Sequence, residues 1–94
     1  MQIDYQATKD PGETLDYTMD WSEWLRDGRV LSNSTWEIQS GLTQVAALST
    51  STTATVWLSG GTDGETYLVK NIVTTTGAHP LIGKRSIRIA VQIR

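Results

Sequence analysis

Residues 63–75 read Asp63-Gly64-Glu65-Thr66-Tyr67-Leu68-Val69-Lys70-Asn71-Ile72-Val73-Thr74-Thr75. From Thr66 onward the pattern has a period of two. Tyr67, Val69, Asn71 and Val73 fall on one face, and Thr66, Leu68, Lys70, Ile72 and Thr74 on the other. Alternation of this kind, rich in β-branched residues, predicts a β-strand. The Asp63-Gly64 turn ahead of Tyr67 has the shape of a tyrosine corner, in which a phenol opening one strand reaches back to the backbone of the preceding loop. The same residues also fit an ordinary core Tyr at the start of a strand.

The same period extends through most of the chain. Leu15, Tyr17, Met19 and Trp21 alternate with Asp16, Thr18 and Asp20 after the Pro11-Gly12 turn, which puts the apolar set toward a core. Ser22-Glu23-Trp24-Leu25 breaks the alternation. Ser22 is expected to cap one helical turn there, with Trp21 and Trp24 as plugs at the end of the core. Asp27-Gly28 turns the chain into a strand over residues 30–38. On that strand Val30, Ser32, Ser34, Trp36 and Ile38 share a face, with Trp36 as the anchor. Leu42, Val45, Ala46 and Leu48 fit neither period, and a short edge strand is expected over residues 43–46. Residues 52–59 form a further strand with Ala54, Val56 and Leu58 inward and Trp57 outward between Thr53 and Thr55. After a loop over residues 77–83, the last strand covers residues 85–93. It carries Ile87, Ile89, Val91 and Ile93 inward and Ser86, Arg88, Ala90 and Gln92 outward. The expectation is an all-β fold: a small antiparallel sandwich of roughly six to eight short strands.

Size and composition agree with this. The chain has 94 residues, enough for a single domain with one modest core. Scaling laws give it a folded surface of about 5,400 Å². Fourteen Thr and eight Ser supply the hydroxyls of outward strand faces, while four Trp and no Phe supply the aromatic bulk. Cys is absent and His occurs once, at His79, which excludes disulfides, thiolate chemistry and multi-His metal clusters. His79 precedes Pro80 in a loop and has no predictable partner for a catalytic triad. Asp16 and Asp20 lie about 13 Å apart along one strand face, too far for a glycosidase pair. Ser59-Gly60-Gly61-Thr62-Asp63-Gly64 lacks the Lys and the helix of a phosphate-binding loop. No catalytic residue, cofactor or metal ligand is expected, and an enzyme is the least favoured reading.

The net charge of −2 offers no footprint for nucleic acid. Its distribution is uneven. Residues 1–47 hold eight acids and three bases, and residues 48–94 hold two acids and five bases. Interleaving of both halves in a sandwich would account for this, and so would a dipolar surface suited to contact between copies. Near the C-terminus Lys84, Arg85, Arg88 and Arg94 form a basic stripe. It serves either to guard an edge or to meet an acidic surface. The start Met1-Gln2-Ile3-Asp4-Tyr5 has neither a basic nor an apolar run, so no secretory signal is expected. No apolar stretch is long enough for a transmembrane helix. The candidate partner-contact residues are Trp57 with Thr53 and Thr55, Arg85 and Arg88, and Asp16 and Asp20.

Several segments together resemble one family. They are Lys9-Asp10-Pro11-Gly12-Glu13, Leu15-Asp16-Tyr17, Met19-Asp20-Trp21-Ser22-Glu23-Trp24-Leu25, Ser34-Thr35-Trp36, Ala54-Thr55-Val56-Trp57-Leu58-Ser59-Gly60-Gly61-Thr62 and Gly83-Lys84-Arg85-Ser86-Ile87-Arg88-Ile89. The Thr66–Thr75 stretch belongs with them. The resemblance is to the fibre-tail adaptors of tailed bacteriophages and covers about residues 9–93. It implies an immunoglobulin-like sandwich; a single domain over residues 1–94 is expected, with residues 1–8 as an extended arm. It also implies a non-enzymatic virion protein, assembled in the host cytoplasm. Such a protein would act in multiple copies on other virion proteins (portal or connector, tail fibre, or capsid), with no nucleic-acid or membrane partner. The alternatives are a capsid decoration protein and a carbohydrate-binding module that stacks sugars on Trp57 or Trp24.

Overall fold

The computed structural model describes residues 5–93 and is all-β. Seven strands follow one another: β1 (Tyr5–Lys9), β2 (Leu15–Asp20), β3 (Leu31–Ile38), β4 (Leu42–Ser49), β5 (Thr53–Gly60), β6 (Thr66–Thr75) and β7 (Ile82–Val91). They form a four-stranded sheet in the order β1-β7-β6-β3 and a three-stranded sheet in the order β2-β5-β4. All pairings are antiparallel except β1 with β7, which is parallel. Tyr5–Thr8, within the stretch expected as an arm, belong to β1. The surface of 5526 Å² is close to the area that chain length alone dictates.

The alternating residues of β2, β5, β6 and β7 meet between the sheets. Met19, Ala54, Val56, Leu58, Val69, Val73, Ile89 and Val91 are fully buried. Trp21, just past β2, is also buried and is the largest side chain of the core. It is a central member rather than an end plug, because its indole nitrogen has a partner inside. Nε1 donates to Oδ1 of Asn71 on β6 at 2.9 Å. Asn71 in turn donates through Nδ2 to Ser34 Oγ at 2.9 Å and to the Thr35 carbonyl at 3.0 Å. One buried amide thereby ties β6 and β3 of one sheet to the end of β2 in the other, with its polar atoms satisfied. The Trp24 ring packs edge-on against Trp21 at 5.0 Å. The Arg85 guanidinium lies 4.2 Å from the Trp21 ring centroid. Both rings press on Gly83, where a Cβ would come within 2.7 Å of Trp21 and 2.8 Å of Trp24.

A second link between the sheets is Lys9. It is buried, and its Nζ donates to the carbonyls of Asp10 and Gly60 at 2.8 and 2.7 Å. This connects the end of β1 to the end of β5. The tyrosine corner is formed: the Tyr67 hydroxyl accepts from the Thr62 backbone N–H at 2.9 Å. Tyr67 requires Gly41 beside it. Gly41 has φ +114°, and a Cβ there would lie 2.5 Å from the ring.

The structure departs from the sequence reading at several places, each with a local cause. A register shift between Leu31 and Asn33 switches the phase of β3. Leu31 is therefore buried, whereas Val30 and Ser32 are exposed; Ser34, Trp36 and Ile38 keep the inward phase but only half-buried. Trp36 is therefore a partly buried flank of the core and not its anchor. A second shift, between Gln44 and Ala46, disguises β4, which runs eight residues instead of the four expected. The turn after β2 exists, with Trp24 and Leu25 N–H groups donating to the Trp21 carbonyl. Its cap is Asp20 rather than Ser22: Oδ1 of Asp20 accepts from the Ser22 N–H at 2.9 Å. β7 begins at Ile82 and ends at Val91, so Ile93 is exposed, and Ser86 is buried although it belongs to the outward set.

These contacts set an order of stability effects. Trp21→Ala is expected to cost about 3–5 kcal/mol in chemical denaturation, as large aromatic deletions in cores do. Trp36→Ala is expected to cost less, since that ring is only partly buried. Asn71→Leu is expected to cost about 1–3 kcal/mol for each buried group it orphans. A larger loss for Trp36→Ala than for Trp21→Ala would contradict this core assignment.

Candidate functional site

Cross-strand register decides which side chains share each outer face. On the three-stranded sheet, Asp16 pairs with Trp57, Thr18 with Thr55 and Asp20 with Thr53. On the far side of β5, Trp57 pairs with Ala46 and Thr55 with Leu48. Six of the candidate contact residues or their neighbours thus lie on one surface. Asp16, Thr18 and Asp20 are exposed there, while Thr53, Thr55 and Trp57 are half-buried. The Thr18 and Thr55 hydroxyls bond to each other at 2.9 Å, as do those of Thr50 and Thr53 at 2.7 Å. Trp57 thus faces outward as its phase predicts, partly covered by its neighbours. Asp16 and Asp20 are the charged groups of this face, which carries no Lys or Arg among those register positions.

The outer face of the four-stranded sheet has the opposite sign. Lys84 pairs with Ile72, Ser86 with Lys70 and Arg88 with Leu68. Lys84 and Arg88 are exposed, and Lys70 makes an ion pair with Glu37 on β3 at 3.6 Å. Such an exposed pair contributes little to stability. Among the described residues it leaves Lys84 and Arg88 with no ion-pair partner, with Leu68 and Ile72 half-buried beside them.

Arg85 does not belong to this face. It pairs with Asn71, on the core side, and its guanidinium donates to the Asp20 carbonyl at 2.8 Å while stacking on Trp21. The stripe read from the sequence is divided by the pleat into outward Lys84 and Arg88 and inward Arg85. Its fourth member, Arg94, lies outside the described residues. The sequence reading also missed the apolar residues on β4, where Val45 and Leu48 are 58% and 59% exposed. The register shift at Gln44–Ala46 removed the period that would have announced them. β4 is moreover an edge strand with no charged residue, whereas the edges β1, β2 and β3 carry Lys9, Asp16 with Asp20, and Glu37.

Asp20 also has an altered acidity. Hydrogen bonds from the Ser22 backbone and side chain, and then the nearby Arg85 charge, hold its carboxyl below the usual carboxylate range. A lowered folded value means the cap contributes fully above the unfolded pKa and is lost as pH falls through the folded one. His79 is exposed in the loop before β7, and its backbone carbonyl accepts from Arg29 Nη1 at 2.8 Å. Among the described residues no three acidic or His side chains converge as a metal site would. Carboxyl-carbon NMR titration should find Asp20 protonating below the free Asp value. Asp20→Ala, which removes the accepting oxygen, should weaken the turn bonds of Trp24 and Leu25, read as faster amide exchange. An ordinary Asp20 titration would contradict the capping geometry.

The arrangement thus places two outer faces of opposite charge on one core. No match is found among curated protein sequences. Residues 9–90, however, match the family described as Podophage GP4 fiber-tail adaptor protein gp77. They span β2 to β7 almost completely and include the Trp21, Asn71 and Tyr67 contacts, and the chain belongs to this family of phage fibre-tail adaptors.

Proposed function

We propose that this chain is a non-enzymatic structural protein of the virion, a fibre-tail or head–tail adaptor that works by protein–protein contacts in multiple copies. Family membership over residues 9–90 carries the reading. The two charged faces support it, because a small sandwich tied internally by Trp21–Asn71 presents them as rigid surfaces. The strand order also supports an immunoglobulin-like domain. β3-β6-β7 and β4-β5-β2 follow the C-F-G and D-E-B orders of that sandwich, and the tyrosine corner opens the strand corresponding to F. The partners on this reading are portal or connector proteins and tail fibres.

Mass spectrometry of purified particles, with and without this gene, tests the proposal. The expected result is a chain present at a ring-like copy number, roughly six to twelve per particle, and fibreless, poorly adsorbing particles in its absence. A copy number of hundreds would point to shell decoration instead. Intact, infectious particles of unchanged protein content would overturn the adaptor reading.

A further inference from the structure

We propose that the acidic outer face of the three-stranded sheet docks onto the basic outer face of the four-stranded sheet of a second copy. This rests on the multiple-copy adaptor reading above and specifies the contact. The two faces match in spacing as well as in sign. Asp16 and Asp20 stand four residues apart on β2, and Lys84 and Arg88 stand four residues apart on β7. Along a strand each pair spans about 13 Å, so both charges of one face meet both of the other at once.

The neighbouring strands add an apolar match. Beside β2 lies β5 with Trp57, and beside β7 lies β6 with Leu68 and Ile72. In the docking that lays β5 over β6, the half-covered indole meets these half-covered aliphatics. The charged pairs flank them and fix the register. Because the two patches are different surfaces of one chain, the contact is heterologous. Repeated, it closes into a ring or continues as a filament. Asp20 is partly engaged by its cap and by Arg85, so Asp16 carries more of the acidic contribution.

Sedimentation velocity on the purified chain, at up to roughly 1 mM to match local concentrations in an assembly, tests the contact. Runs at about 10 mM and about 1 M salt compare screening lengths of about 30 and 3 Å. Association is expected at low salt and lost at high salt. D16K alone, and K84E/R88E together, should each weaken it at least about tenfold by placing like charges opposite each other. The quadruple variant D16K/D20N/K84E/R88E sets the lysine introduced at position 16 against an introduced carboxylate with no carboxylate facing another, and should recover association, which separates a lost contact from a lost fold. No association of the native chain at low salt, or association indifferent to both reversals, would overturn the contact. So would association that persists in high salt but is abolished by Leu48→Lys, which would place the interface on the β4 edge. If the chain is present in particles at a ring-like copy number while any of these results holds, the adaptor reading stands and only this contact falls.

Discussion

The hydrogen bond from the Trp21 indole to the Asn71 amide is the constraint on which the rest of the sandwich depends. A chain with no Cys has no covalent tie between its sheets. Here the tie is a buried polar contact with all its members partnered, and so it adds specificity without leaving an orphaned group. It fixes where β2 ends, because Trp21 must reach Asn71. It fixes the phase of β3, because Asn71 also holds Ser34 and the Thr35 carbonyl. It draws Arg85 inward, since the guanidinium finds the indole face and the Asp20 carbonyl there. Gly83 is where two Trp rings come too close for any side chain.

These inner choices determine the outer faces. Once Met19 and Trp21 face in, Asp16 and Asp20 must face out. Once Ile87 and Ile89 face in, Lys84 and Arg88 must face out on the other sheet. Two acids of the first half, Asp16 and Asp20, and two bases of the second, Lys84 and Arg88, thus end on outer faces of opposite sign. For a member of a phage adaptor family, two unlike faces on one well-tied core would suit a joining piece, because surfaces already in place need not be ordered on contact.

Much of this was legible in the sequence where the period of two was unbroken. β6 and β2 have the expected residues and phases, and the Asp63–Tyr67 turn made the corner its spelling suggested. The failures cluster where one extra residue enters a ladder. The shift at Leu31–Asn33 moved Leu31 into the core and Val30 out, and the shift at Gln44–Ala46 hid most of β4. The role of Trp36 was overstated because small Ser neighbours suggest close packing without saying how much of the ring is covered. Arg85 was misplaced for another reason: a charged residue beside two others reads as a stripe, although alternation puts adjacent residues on opposite faces. Register between strands, which sets Asp16 beside Trp57 and Lys84 beside Ile72, has no signal within a single strand.

The most direct measurement is a reconstruction of the intact particle at side-chain resolution around this chain. The account predicts neighbouring copies stacked face to face, with Asp16 and Asp20 of one within ion-pair distance of Lys84 and Arg88 of the next, and Trp57 beside Leu68 or Ile72. Copies that never touch, or that touch while both of these faces point to solvent, would contradict it.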